Sequence, residues 1–184
     1  MKELSDTELM ARAAAGREEA FAELVTRYAN ALLNFFLRKG VPYSDGQDLA
    51  QRTFLRLWRY RAKYEPQAKF TTFLFLLATQ ESVDFFRSEG RRAGLADGLA
   101  REANVAADVR DCPPDGEAVR QAVAQLSPAL RDVVELGAFQ DLPYSDIAQI
   151  LGIPVGTVKS RMFNALRKLK DALHVADDGH PRIW

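Results

Sequence analysis

A chain of 184 residues is long enough for one ordinary domain or two small ones, and its 25 Lys and Arg balance its 25 Asp and Glu. A single cysteine, Cys112, excludes an intramolecular disulfide framework, and two histidines, His174 and His180, with no second cysteine give no zinc-binding set. No apolar run approaches the ~20 residues that span a bilayer, and MKELSDTELM at the N-terminus has no signal-peptide core, so a cytoplasmic protein without membrane insertion is expected.

The periodicity predicts an all-α fold. Ser5-Asp6-Thr7-Glu8 forms a capping box for a first helix from Asp6 to Ala15, stopped at Gly16. A longer helix spans Glu18 to Lys39 and closes at Gly40, with Phe21, Leu24, Val25, Tyr28, Leu32, Phe35 and Phe36 as its apolar stripe. Ser44 to Gln47 reads as a second capping box, opening a helix from Asp45 to Arg61. Glu65-Pro66 breaks the chain, and Thr71 is placed to cap a helix running to Glu89. No alternating strand pattern interrupts this series.

Between Gly90 and Gly116, small residues, glycines and Pro113-Pro114 replace the helical pattern. A flexible linker is expected there, with a transient helix around Leu99 to Val109. Cys112 lies in it, as a bystander or a redox handle. Helical pattern resumes at Glu117. Ser127 as N-cap and Pro128 at the first helical position begin a helix with Leu130, Val133, Val134 and Gly137 on its buried edge. After Leu173 the tail should fray. The expected organisation is a helical domain at 1–92, a linker at 93–116, a second helical domain at 117–175 and a tail at 176–184.

Tyr144 to Lys170 reads as two helices around a tight turn. Ser145 is a candidate N-cap, Gly152 suits the positive φ beyond a helix end, and Pro154 suits a helix start. Val158, Met162, Ala165, Leu166 and Leu169 form an inward stripe on the second helix. Its other face carries Thr157, Lys159, Ser160, Arg161, Asn164, Arg167, Lys168 and Lys170. Five cations and no carboxylate lie between Gly156 and Lys170. In a neutral protein such a block is a placed feature, and this pattern fits a helix-turn-helix whose second helix enters the major groove. Arg and Lys would reach guanine edges or phosphates, and Asn164 would read adenine. An αα-hairpin with a solvated basic face is the alternative.

The Asp45–Arg61 helix has two faces. Ala50, Thr53, Phe54, Leu57 and Trp58 form a core face, while Asp48, Gln51, Arg52, Leu55 and Arg59 project from the other. Leu55 there is either an isolated exposed leucine or the centre of a protein contact ringed by polar groups. Further on, Lys63, Tyr64, Lys69, Phe70 and Phe73 mix cations with aromatics, as in grooves for single-stranded nucleic acid. Phe75, Phe85 and Phe86 are assigned to the core, whereas Tyr64, Lys69 and Phe70 are free to touch a ligand.

DLAQRTFLRLWRY, at Asp48 to Tyr60, resembles the polymerase-docking helix of bacterial sigma factors. PYSDIAQILGIPVGTVKSRMFNALRKLK resembles their C-terminal helix-turn-helix, and YEPQAKFTTFLFLLATQESVDFFR their promoter-melting segment. In this order, over residues 5–92 and 117–173, the chain is similar to the extracytoplasmic-function (ECF) group of the sigma-70 family. The resemblance implies two small helical domains, a region 2-like bundle and a region 4-like helix-turn-helix, joined by a flexible linker. It implies that Asp48, Gln51, Arg52 and Leu55 dock on the β′ clamp helices of core RNA polymerase, with the β flap as a second contact. Lys63, Tyr64, Lys69, Phe70, Phe73, Gln80 and Arg87 would hold the single-stranded −10 element. Thr157, Lys159, Ser160, Arg161, Asn164, Arg167 and Lys168 would read the duplex −35 element. An anti-sigma factor is a further implied partner; no cofactor, small-molecule substrate or enzymatic activity is implied.

The chain departs from the family pattern in places. Arg52 stands where Glu is usual and Phe73 where Trp is usual. Leu76 and Thr79 replace cations, Gln80 replaces Asn, and no cation occurs from Phe70 to Asp84. Two other functions stay open on the residues alone. One is a stand-alone helix-turn-helix regulator, for which the Leu55 face would have no use. The other is a sigma-like adaptor that competes for polymerase without melting promoters.

Overall fold

The computed structural model describes residues 4–64, 69–95 and 115–177. All regular elements among them are helical, and the chain divides into two compact units, Met1–Leu37 with Val41–Asn104, and Arg38–Gly40 with Val105–Trp184. The expected Glu65-Pro66 break, the transient helix around 99–109, Cys112 and the last tail residues lie outside the described residues.

In the first unit, α1 (Asp6–Ala14) starts at the expected capping box. The Ser5 N–H and hydroxyl both donate to Glu8 Oε2 at 2.8 Å, and the Glu8 N–H donates to Ser5 Oγ at 3.3 Å. Gly16, at φ 85°, then turns the chain into α2 (Glu18–Arg38). Asp6 ties the two helices together, accepting from Arg27 at 2.7 Å and from the Tyr28 phenol. Burial first, and that hydrogen bond second, push the Tyr28 hydroxyl well above its ordinary pKa. α2 buries Leu24, Leu32, Phe35 and Phe36, while Phe21, Val25 and Tyr28 of the expected stripe are half-buried.

α3 (Tyr43–Tyr60) begins earlier than expected. Pro42 is its N-cap and accepts from the Gly46 N–H at 2.8 Å, so Ser44 and Gln47 lie inside the first turns and make no capping box. Its core face is as expected: Ala50, Thr53, Phe54 and Leu57 are buried and Trp58 half-buried. The buried Thr53 hydroxyl donates to the Leu49 carbonyl at 2.7 Å, which spares a buried polar group from going unpaired. A 3₁₀ turn, Arg61–Lys63, follows directly. α4 runs from Phe70 to Leu95, so Thr71 is not its cap; the Lys69 carbonyl accepts the first N–H groups, from Thr72 and Phe73. The helix also passes through Gly90, beyond the expected end at Glu89, because its backbone there takes no positive φ. Packing of α3 on α4, and of Phe35 against the Phe75 ring at 5.4 Å, forms the core.

Three side chains correct the expectations for α4. Phe70 is buried at 2% exposure against the Tyr28 ring, centroids 5.3 Å apart, so it is not free to touch a ligand. Phe85 is only half-buried, and Phe86 is 44% exposed rather than core. At 100° per residue, Phe86 shares the face of the buried Phe75, Thr79 and Ser82, so its exposure marks where along α4 the covering ends: no described residue of the helix beyond Ser82 is buried.

The second unit contains α5 (Asp115–Ala124), which begins two residues before the expected Glu117, then α6 (Pro128–Val134). Ser127 is the N-cap of α6 and Pro128 its first residue, although the serine side chain makes no capping hydrogen bond. α6 continues into a π turn, Glu135–Phe139. Val133 and Val134 are buried, and Leu130 and Gly137 only half-buried. Gly137 has a packing reason: a Cβ there would stand 2.5 Å from Met162 Cε and 3.2 Å from Ile147 Cδ1. α7 (Tyr144–Leu151) is capped by Pro143, whose carbonyl accepts from Asp146 and Ile147 at 3.0 Å. The expected cap, Ser145, instead donates its hydroxyl to Asp146. α8 spans Val155–Asp177 and so passes Leu173, where fraying was expected.

Candidate functional site

Three surfaces gather the candidate residues, two on the first unit and one on the second. On α3, Asp48, Gln51, Arg52 and Leu55 are all exposed, Leu55 at 52%. They lie opposite the buried Ala50–Leu57 stripe, which fixes the rotation of the helix and hence the outward aim of this patch. Arg52 is not a freely projecting cation. Its guanidinium lies 2.8 Å from the carboxylate of Glu81 on α4, and Arg56 pairs with the same carboxylate at 3.4 Å. Glu81 itself is 6% exposed, and nothing in the sequence pattern singled it out. An acid three residues after Ala78 on the inward side of α4, opposite two arginines one turn apart on α3, is the signal that would have found it.

The second surface follows the end of α3. Arg61 stacks its guanidinium 3.7 Å from the Trp58 ring centroid and donates to the Trp58 carbonyl at 2.7 Å. Trp58 packs in turn on Phe21 at 4.9 Å. This clamp holds the 3₁₀ turn and presents Lys63, which is exposed. Tyr64 is half-buried, with its ring 5.7 Å from Phe73 and 6.5 Å from Phe70; burial pushes its phenol pKa up. Phe73 is half-buried, and Lys69, Gln80 and Arg87 are exposed. Tyr64 and Phe73 thus come together over a buried Phe70. Arg87 stands apart near the other half of α4, in a wet pair with Asp84 at 3.9 Å that contributes at most about 1 kcal/mol.

Between these two surfaces, α3 and α4 bound an open cleft of about 690 Å³. Arg52, Arg56, Arg59 and Lys63 line it, with Glu81 as its one carboxylate and Leu55 and Tyr60 on its walls.

The third surface is the turn and helix from Gly152 to Lys170. Gly152, at φ 64°, ends α7 in the left-handed region, and the Ile153 N–H donates back to Ala148 at 3.1 Å. The Pro154 carbonyl accepts from Thr157 and Val158, starting α8 one residue later. Val158, Met162 and Ala165 are buried, which turns Lys159, Ser160, Asn164, Arg167 and Lys168 outward; Thr157 and Arg161 are half-buried. The Ser160 hydroxyl is engaged with the Thr157 carbonyl at 3.0 Å. Leu166, expected in the inward stripe, is 52% exposed, and Leu169 is half-buried. Phe163 is 68% exposed among these polar residues, at a position that the charge pattern does not mark.

Among the described residues no group of acids, histidines or cysteines could hold a metal ion, and no helix is long and apolar enough to cross a membrane. Residues 24–92 match the model of Sigma-70 region 2, and residues 116–169 that of Sigma-70, region 4. The chain is 30% identical to the ECF RNA polymerase sigma factor RpoE of Cereibacter sphaeroides, over 83% of this chain and 86% of that protein. It is 29% identical to the ECF RNA polymerase sigma-E factor of Haemophilus influenzae, over 94% of this chain and 97% of that protein. Among solved structures, the sigma factor RpoE of Bartonella quintana, crystallised with the anti-sigma factor NepR, is similar at a TM-score of 0.74 and 25% identity. That match covers 84% of this chain and 97% of the other. CnrH, in complex with the cytosolic domain of CnrY, is similar at a TM-score of 0.67 and 27% identity, over 91% and 96% of the two chains. With region 2 and region 4 in order and relatives of this kind along most of its length, the chain belongs to the ECF sigma factors of the sigma-70 family.

Proposed function

We propose that the three surfaces divide the work of an ECF sigma factor, which directs core RNA polymerase to particular promoters. Asp48, Gln51, Arg52 and Leu55 dock on the β′ clamp helices, with Leu55 as the apolar centre that gives such a patch most of its affinity. Lys63, Tyr64, Lys69, Phe73, Gln80 and Arg87 receive the −10 element, where extracting a base costs a few kcal/mol and stacking on Tyr64 or Phe73 offsets it. Phe70 supports that pocket from below. Thr157, Lys159, Ser160, Arg161, Asn164, Arg167 and Lys168 meet the duplex −35 element, and Phe163 adds an apolar contact suited to a thymine methyl. The domain that carries α8 also meets the β flap.

One observation carries the reading: a single chain combines the exposed Leu55 patch with a reading helix that has five cations and no carboxylate from Gly156 to Lys170. A stand-alone regulator needs only the second. A similar sigma factor captured with the anti-sigma factor NepR supports an anti-sigma partner for this chain as well. The family is not enzymatic, and we assign this member no catalytic step and a cytoplasmic site of action. Run-off transcription with purified core polymerase on a promoter library tests the whole. Transcripts sharing two upstream elements are expected; polymerase binding without any transcript would make the chain an adaptor instead.

A further inference from the structure

We infer that Glu81 is a positioning residue for polymerase docking: by holding Arg52, it keeps the neighbouring Asp48 free for the partner. This rests on the docking role proposed above for Asp48, Gln51, Arg52 and Leu55. Glu81 lies on α4 at 6% exposure, on the helix face of the buried Leu74, Leu77 and Ala78. Taking a carboxylate out of water is costly, and an apolar side chain of similar volume in such a place is often as stable or more so. Stability therefore gives no reason for an acid here. What the acid touches does. Its two ion pairs cross to α3, with Oε2 at 2.8 Å from Arg52 and Oε1 at 3.4 Å from Arg56, and both arginines flank the exposed Leu55 along that helix.

Arg52 has another carboxylate within reach. Asp48 stands four residues before it on α3, the spacing and order at which an acid and an arginine ordinarily pair along a helix. Yet the arginine turns the other way. Its guanidinium meets Glu81, and Asp48 is exposed with no ion pair among the described residues. The buried acid wins this competition because a pair partly shielded from water is screened less than one on the open surface. The docking patch then presents an uncommitted carboxylate beside Leu55, and an arginine whose charge is offset from behind. Without Glu81, Arg52 would fold back on Asp48 and withdraw that carboxylate from the partner.

The test measures affinity of the full chain for purified core polymerase, by competition with labelled wild type. Glu81→Gln is made in wild type and in D48N. In wild type it releases Arg52 to Asp48 and should weaken core binding about threefold, the scale of one surface ion pair. In D48N, itself a weaker binder, the same change should do nothing more, because the acid through which Glu81 acts is gone. A merely structural role would lower affinity by the same factor in both backgrounds. That result would overturn the inference, as would unchanged affinity of the single variant or of D48N. Should Glu81→Gln not fold, Glu81→Met carries the same comparison, since its side chain suits the apolar company of Leu74, Leu77 and Ala78. Leu55→Asp separates the two readings. If it binds core like wild type, the docking surface falls and the inference with it. If it loses core and only the comparison of backgrounds fails, docking stands and Glu81 is a structural pair alone.

Discussion

Leu55 is the residue on which docking turns. Its side chain is half exposed and ringed by polar groups, so Leu55→Asp changes nothing inside the unit yet places a charge at an apolar contact centre. The variant should keep its helical content and melting temperature while losing about 2 kcal/mol or more of affinity for core polymerase, the scale of an interface hot spot. A pull-down in which it binds core like wild type would remove Leu55 from the interface. A second residue reports on folding. Glu8 accepts from the Ser5 backbone and hydroxyl, and these bonds hold its carboxyl below the ordinary 4.5. A depressed folded value means that the capping box contributes stability above pH 4.5, and that this contribution is lost as pH falls through the lower folded pKa. A side-chain titration by NMR should find the depression, and Ser5→Ala, which removes the hydroxyl but keeps the backbone N–H, should reduce it without abolishing it. At this scale the sequence was readable where local chemistry decides, as at Ser5, Gly16 and Gly152. It was not readable where a distant side chain decides: Phe70 looks available until Tyr28 covers it, and Arg52 looks free until Glu81 takes it.

Helices as elements were legible from their period, but two of their starts were misread for the same reason. Pro42 and Pro143 each cap a helix through the backbone carbonyl, so the Ser side chains downstream, at 44 and 145, arrive after the cap has formed. Stripe arguments failed at the edges, where the helical angle puts a residue between core and solvent. Leu166 is such a flank position, whereas Phe86 is exposed because the covering of α4 ends at Ser82. The π turn at Glu135–Phe139 was invisible because a widened turn has no residue signature beyond Gly137. That glycine lets α7 and α8 close against the turn, so Gly137→Ala should cost about 1–3 kcal/mol through overpacking against Met162. Thermal melting would show it, and adding Met162→Leu, which withdraws the Cε methyl, should restore part of the loss. On α8 itself, Arg161→Ala should weaken binding to −35 duplex by ~1–3 kcal/mol if the guanidinium reaches a base edge. An unchanged footprint would require a different register of the helix on DNA.

For the molecule as a whole, docking and reading are separable defects. Leu55→Asp should silence run-off transcription from every promoter, whereas Arg161→Ala should change the ranking of promoters and leave a residue of activity on those with the strongest −10 elements. Equal loss in both variants across the library would mean that the two surfaces do not divide the work. The two-unit, all-helical plan was legible because charge and periodicity change together along the chain, and the order of the two family regions made the assignment specific. The cleft that gathers Arg52, Arg56, Arg59 and Lys63 around Glu81 was not, since its walls come from two helices and no linear pattern records which of their residues face one another. The two ion pairs of Glu81 couple substitutions made on different helices. Arg52→Glu would set a second carboxylate beside a buried one and leave Arg56 alone to offset both, so it should lower the melting temperature, and adding Glu81→Gln should restore it.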